Sequence, residues 1–178
     1  MTQEQTLPYP VGQQVPNASL GAMIQRLLPK VPVEIGETKT DLDVTVAPEH
    51  LFALVQGLRD AKDLKFDFLR NITGVDLVES MALKYAFYSF THGHALQVTV
   101  PTEAGHPHVP SLVSLYPAAD WHEREAHEMF GFVFDGHPNL KNLFLEEDLH
   151  IHPLLKAHPL QKADIKQGIE DSSAGFTF

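Results

Sequence analysis

Residues 42–58 read Leu42-Asp-Val-Thr-Val-Ala-Pro-Glu-His-Leu-Phe-Ala-Leu-Val-Gln-Gly-Leu58, and within them the apolar period changes from that of a strand to that of a helix. Leu42, Val44 and Val46 alternate with Asp43 and Thr45, as in a strand with one buried and one wet face. Pro48 and Glu49 then open a helix, where proline is tolerated because the first-turn amide has no intrahelical acceptor. Leu51, Phe52, Leu54, Val55 and Leu58 form its single apolar stripe. A one-faced strand followed at once by a one-striped helix buries both surfaces most simply by laying helix on sheet.

The flanking sequence extends this unit. Leu20, Met23, Ile24, Leu27 and Leu28 line one face of a helix over 19–28, with Asn17 or Ser19 as its cap and Pro29 as its breaker. Val31 to Ile35 reads as a strand that pairs with 42–46 across a turn at Gly36–Thr40. Phe66–Ile72, Leu83–Phe90 and the alternating Leu96, Val98 and Val100 predict three more strands, the last two joined by the turn Thr91-His-Gly-His94. The order is helix, two strands, helix, three strands and a third short helix near 120–130. It predicts an α+β fold, a two-layer domain with two helices on a mixed five-stranded sheet and a long extended C-terminal tail. The expected division is a flexible N-terminus (1–18), the α+β domain (19–131) and a partner-binding tail (132–178). The tail shows no lasting periodicity, yet it holds Phe132, Phe134, Leu140, Leu143, Phe144, Leu145, Leu154, Leu155 and Leu160, too many apolar side chains for a segment left in water.

Composition excludes several functions. A net charge of −10 with only 13 Lys and Arg argues against nucleic acid, whose phosphates need clustered cations. The absence of cysteine removes disulfides, thiolate metal sites, cysteine-held iron–sulfur clusters and thiol nucleophiles. Residues 1–14 lack the charged start and apolar stretch of a secretory signal, and no apolar run approaches the ~20 residues that span a bilayer. A cytoplasmic protein with an indirect membrane connection is expected.

The densest chemistry lies in Ala119-Asp-Trp-His-Glu-Arg-Glu-Ala-His-Glu-Met-Phe-Gly131. Asp120 and Glu123 have capping-box spacing and Gly131 is a left-handed stop. At ~100° per residue from Trp121, Glu125 falls between Trp121 and Met129 on the apolar arc, with Glu123, Arg124, His127 and Glu128 on the polar side. A carboxylate on an apolar arc needs a cation or several donors. Three roles stay open for Glu125: an internal ion pair with Arg70 or Arg124, a bond made with Arg124 across an interface, or an acid or base in catalysis. On this phase, removing Glu125 is costlier than removing Glu128.

Three His-x-His pairs, at 92/94, 106/108 and 150/152, raise a metal site, yet none has a third ligand at a recognised spacing. His122 and His127 are one residue too far apart for the zinc-hydrolase helix. No nucleophile elbow or phosphate-binding glycine loop is present. Neither catalytic, metal nor cofactor-binding residues are assigned. Asn71-Ile-Thr-Gly-Val-Asp76 reads as a turn in which Asp76 accepts backbone amides.

Taken together, Pro110-Ser-Leu-Val113, Tyr116-Pro-Ala-Ala-Asp-Trp121, Glu123-Arg-Glu125, Met129-Phe-Gly131, Phe134-Asp-Gly-His-Pro-Asn-Leu140 and Glu147-Asp148 resemble the C-subunit family of bacterial NADH-quinone oxidoreductase, from Phe66 to Pro159. Counterparts occur in chloroplast-type NADH dehydrogenase and in energy-converting membrane-bound hydrogenases. The chain departs from the family pattern at Glu128, where an aspartate is usual, at Leu149, and in Pro153-Leu-Leu-Lys-Ala157. The resemblance implies a non-catalytic, cofactor-free assembly subunit in the hydrophilic arm of a complex I-like membrane-bound oxidoreductase. It would be peripheral on the cytoplasmic side of the inner membrane, against the large quinone-site or hydrogenase-like subunit and near iron–sulfur subunits that carry the clusters. The interface it implies comprises Trp121, Glu123, Arg124, Glu125, Phe134, Gly136, His137, Pro138, Leu140, Leu143, Phe144, Leu154 and Leu155. The other readings are a free-standing metal-dependent hydrolase that uses the histidine pairs, and an acidic adaptor.

Overall fold

The computed structural model describes residues 16–37, 41–105, 107–146 and 151–158. In chain order the elements are α1 (Asn17–Leu27), β1 (Glu34–Glu37), β2 (Leu42–Thr45), α2 (Pro48–Asp60), β3 (Phe68–Asp76), β4 (Ser80–Ser89), β5 (His94–Glu103), β6 (His108–Pro110), α3 (Ala119–Phe130) and β7 (Val133–Asp135). Five strands form one sheet in the order β1-β2-β5-β4-β3. It is mixed because β2 runs parallel to β5, with Leu42 beside Leu96 and Val44 beside Val98, while every other pair is antiparallel. The α+β class and the five-stranded mixed sheet are those that the alternating and helical patterns predict.

The apolar stripes meet as the period change requires. Leu42, Val44, Leu51, Leu54, Val55, Leu83, Tyr85, Val98 and Val100 are all fully buried, with Leu20 and Ile24 of α1 sealing the β2 end. The opposite face of the sheet is polar: Thr99 Oγ1 donates to Asp43 Oδ1 at 2.8 Å, and Lys84 Nζ lies 3.7 Å from Asp43 Oδ2. Gly93, at φ 69°, makes the β4–β5 turn.

Several local expectations are corrected. Neither Asn17 nor Ser19 caps α1; the Pro16 carbonyl accepts the Ser19 and Leu20 amides, so Asn17 and Ala18 belong to the first turn rather than to a flexible end. β1 begins at Glu34, after Pro32, which has no amide to give a ladder. The expected Gly36–Thr40 turn lies in part outside the described residues. Asn71–Asp76 is not a turn but the end of β3, and the chain reverses at Leu77–Glu79. There Asp76 Oδ1 accepts the Val78 amide at 2.7 Å and Val78 sits at φ 79°, a left-handed conformation that β-branched residues seldom adopt.

A third helix also reaches the sheet. α3 crosses β3 so closely that a Cβ at Gly74 would stand 2.5 Å from Phe130 Cδ2. A short parallel pair, β6 with β7, brackets α3 in the chain, and Phe132 and Phe134 are buried in the main core. Phe134, expected on the partner-binding tail, is therefore a core residue. Gly74→Ala is expected to lower unfolding stability by about 1–3 kcal/mol through overpacking against Phe130. In a Phe130→Ala background the same change should cost much less; equal losses in urea titrations of both backgrounds would refute this contact.

Candidate functional site

The face of α3 turned to the sheet is made of small residues and one acid. Ala119, Glu123 and Ala126 are buried, in the i, i+4, i+7 spacing of a single stripe. The larger Trp121 is 63% exposed, so the wheel phased on Trp121 and Met129 is turned away from its true orientation. Glu125 is exposed, and the buried carboxylates are Glu123 and Glu128. The physical reason is the close approach to β3: small side chains line the inner stripe, the Phe130 ring fits over the side-chain-free Gly74, and Trp121 stands outside. The capping box fails for the same reason, since the helix start has no side-chain cap and Glu123 points into the protein. Gly131 does close the helix, at φ 82°, with its amide on the His127 carbonyl at 2.8 Å.

Glu123 ties α3 to the loop after β6. Its Oε2 accepts from Ser111 Oγ and its Oε1 from the Leu112 amide, both at 2.7 Å. Burial pushes its pKa up to about 7; these two donors oppose the rise, and the Asp120 charge adds to it. The His137 side chain, fully buried, lies beside this carboxylate: its Nε2 is 3.3 Å from Asp120 Oδ1 and 4.0 Å from Glu123 Oε2.

Glu128 holds the following segment. Its two oxygens accept the successive amides of Leu143, at 3.1 Å, Phe144, at 3.0 Å, and Leu145. Three consecutive amides turned onto one carboxylate make an anion nest whose anion is part of the same chain. Arg124 donates to the Lys141 and Asn142 carbonyls at 2.9 and 3.0 Å, and its guanidinium lies 5.3 Å from the centre of the Trp121 ring. Further along, His152 Nδ1 meets the Glu128 carbonyl at 2.9 Å, the Leu154 amide donates to the Met129 carbonyl, and the Lys156 amide to Asp76 Oδ2 at 2.8 Å. The Lys156 and Val78 amides together hold the Asp76 carboxyl below its usual pKa.

The described part of the tail is thus a strap fastened to α3 and to the β3–β4 turn through its main chain. Because the fastening uses backbone groups, it leaves many side chains free to face outward. Phe144 is 73% exposed, Leu154 56% and Ile151 42%, while Leu140 and Leu155 turn inward against the core and Leu143 is half-buried. Gly136, at φ 83°, and Pro138 are exposed in the turn where the strap begins. Of the interface residues implied by the resemblance, the structure brings Trp121, Arg124, Leu140, Leu143, Phe144, Leu154 and Leu155 together around α3. It places Glu123, Phe134 and the His137 ring inside. Asp76, Ser111, Asp120, Glu128 and His152 complete the arrangement; Glu128 was hidden because its partners are main-chain groups that no sequence pattern marks.

The described histidines of the three pairs are otherwise engaged. His92 Nε2 meets the Lys62 carbonyl at 2.8 Å and His94 Nε2 the Leu64 carbonyl at 2.9 Å, with burial lowering the pKa of His94. His108 pairs with Asp135, and His106 and His150 lie outside the described residues. Among the described residues, no three His, Cys, Asp or Glu side chains converge as metal ligands, and no helix is long and apolar enough to cross a membrane.

Fold and site together define a two-layer α+β protein whose third helix is tied to the body by one acid, Glu123, and grips its own C-terminal strap by another, Glu128, and by Arg124. The chain belongs to the family of the 30-kDa subunit of respiratory-chain NADH dehydrogenase, whose sequence pattern matches residues 44–164. It is 36% identical over 152 residues to the C subunit of NADH-quinone oxidoreductase from Roseiflexus sp. (strain RS-1), covering 84% of this chain and 87% of that one. The corresponding C subunit of Salinispora tropica is 36% identical over 135 residues, 74% of this chain and 54% of that longer protein. Among solved structures, a chain of the archaeal membrane-bound sulfane sulfur reductase, a respiratory membrane complex, shares the fold with a TM-score of 0.68 at 20% identity, over 90% of this chain and 96% of that one. A trypsin-resistant fragment of Nqo5 aligns with a TM-score of 0.56 at 27% identity, over 68% of this chain and 98% of the fragment. The resemblance read from the helix motif is therefore confirmed, and the chain is of the complex I C-subunit type, a component of respiratory oxidoreductase assemblies.

Replacing Glu128 by Ala removes the acceptor for three amides. Trypsin is expected to cut after Lys141 about tenfold faster or more, since each ~1.4 kcal/mol of lost local stability multiplies the open population by ten. Glu125→Ala should leave the cleavage rate within about twofold and the unfolding free energy from urea titration within ~0.5 kcal/mol. Faster cleavage in the Glu125 variant than in the Glu128 variant would overturn the order that the structure sets.

Proposed function

We propose that this chain is a non-catalytic docking and assembly subunit of the hydrophilic arm of a complex I-like, membrane-bound oxidoreductase. It seats on the large quinone-site or hydrogenase-like subunit, beside iron–sulfur subunits that carry the clusters, on the cytoplasmic side of the membrane, and holds no cofactor of its own. The observation that carries this reading is the strap fastened by its backbone with Phe144, Leu154, Ile151 and Trp121 turned outward. Apolar area withdrawn from water stabilises by ~25 cal/mol per Å², so large side chains held rigidly at the surface favour a partner at little ordering cost. Family membership supports the choice of partner class, and the absence of cysteine from the chain agrees with clusters residing elsewhere.

Within this reading Trp121, Arg124, Glu125, Gly136, Pro138, Phe144 and Leu154 meet the partner. Leu140, Leu143 and Leu155 support them from below, and Glu123, Phe134 and His137 act by holding the strap's root. Affinity-tagged chain, recovered from gently solubilised membranes, should bring redox subunits with it; recovery as a lone monomer refutes the proposal. Phe144→Asp combined with Leu154→Asp should lower that recovery by about tenfold or more while leaving the melting temperature of the isolated chain unchanged, because both side chains are exposed there. Removal of residues 136–178, which spares the core phenylalanines 132 and 134, should abolish it.

A further inference from the structure

One cluster of buried titratable groups lies outside the strap's main-chain fastening. His137 inserts its ring between Asp120 and Glu123, and its side chain and that of Glu123 are both inaccessible to solvent. The imidazole Nδ1 accepts the Asn139 amide at 3.0 Å, so the neutral ring carries its hydrogen on Nε2. That nitrogen meets the Asp120 carbonyl oxygen at 3.3 Å and lies 3.3 Å from Asp120 Oδ1 and 4.0 Å from Glu123 Oε2. Its one hydrogen is engaged by the carbonyl, which leaves Asp120 Oδ1 buried without a hydrogen-bond partner although the rest of that side chain is partly exposed. The remaining neighbours are Ser111 Oγ and the Leu112 amide from the loop after β6, which donate to Glu123, and from β4 the buried phenol of Tyr85, kept neutral by burial and by the proximity of Glu123.

We propose that Asp120, Glu123 and His137 form a proton-sensitive latch that clips the strap's root, the turn at residues 136–140, to α3, tight while Glu123 carries a proton and looser once it is ionised. With Glu123 ionised, two negative charges share a pocket in which the imidazole is the cation-capable group set against both. The least costly relief is to open the turn, where Gly136, Pro138 and Asn139 are already exposed, and admit water; α3 itself can stay in place. The device goes beyond the docking role and stands or falls without it.

The direction with pH follows from linkage. In the closed latch Glu123 titrates at about 7; in the opened turn water returns it towards its ordinary 4.5. Between those values the closed form holds a proton that the open form has released, so raising the pH favours opening by about tenfold per unit, and above about 7 the effect levels off. Stability of the closed form is thus complete at acidic pH and is lost as pH rises towards 7.

The test uses the full isotope-labelled chain. Hydrogen-exchange protection of the Asn139 amide is measured from about pH 5 to about pH 8, divided by intrinsic rates, in the wild type and in Glu123→Gln, which keeps a neutral group of the same shape. The ratio of wild-type to variant protection should fall about tenfold per pH unit up to about 7 and then stay level. Since His137 and every other titrating group is present in both proteins, the ratio isolates Glu123. A ratio that does not change with pH overturns the proposal. Should the variant fail to fold, the Glu123 carboxyl carbon shift in the wild type decides: titration near pH 7 in step with falling Asn139 protection sustains the latch, and a midpoint in the ordinary carboxylate range ends it.

Discussion

Two carboxylates removed from water on one face-to-face pair of surfaces govern the C-terminal half of this protein. Polar groups in a dry interior must find hydrogen-bond partners, and Glu123 and Glu128 find theirs in different parts of the chain. Glu123 takes a hydroxyl and an amide from the loop after β6, which sets the helix on the domain. Glu128 takes three successive amides from residues 143–145, which sets the strap on the helix. The helix is thus a bracket with an acid on each side, and the order body, helix, strap follows from where the donors are.

The bracket works because α3 lies close to the sheet. Gly74 and the Phe130 ring leave no room for a Cβ, and Ala119 and Ala126 keep the inner stripe thin. A helix seated this near cannot place a tryptophan inward, so Trp121 stands at the surface with Arg124 against it. Phe144 and Leu154, on the strap, are exposed as well. The fold shared with a chain of an archaeal respiratory membrane complex shows this architecture recurring at low sequence identity.

Main-chain fastening also explains how so irregular a segment is held. Residues 140–146 and 151–156 form no ladder with one another, yet their amides and carbonyls are met by Glu128, Arg124, Met129 and Asp76, and the His152 ring meets the Glu128 carbonyl. Asp76 alone joins the strained Val78 turn to Lys156, 80 residues away in sequence. Apolar content in such a segment does not by itself reveal which side chains turn inward: Leu140 and Leu155 do, Phe144 and Leu154 do not.

The sequence by itself determined the α+β class, the five strands, the helices at 48–60 and 119–130 and the glycine stop at 131, because period-two and helical spacing are local properties of neighbouring residues. It also carried the family, through a run of side chains around α3 that few other chains combine. Only the tertiary structure decided which acids are buried, that Phe134 is core, that β6 and β7 pair, and where the strap runs. The phase of α3 was misread because its largest residue, Trp121, faces outward while the inner stripe is Ala119, Glu123 and Ala126, an arrangement set by contacts with the rest of the domain that leave no mark on the helix itself. Hydrogen bonds between a carboxylate and distant main-chain amides have no side-chain signature on the donor side. Their geometry exists only once the chain has closed on itself.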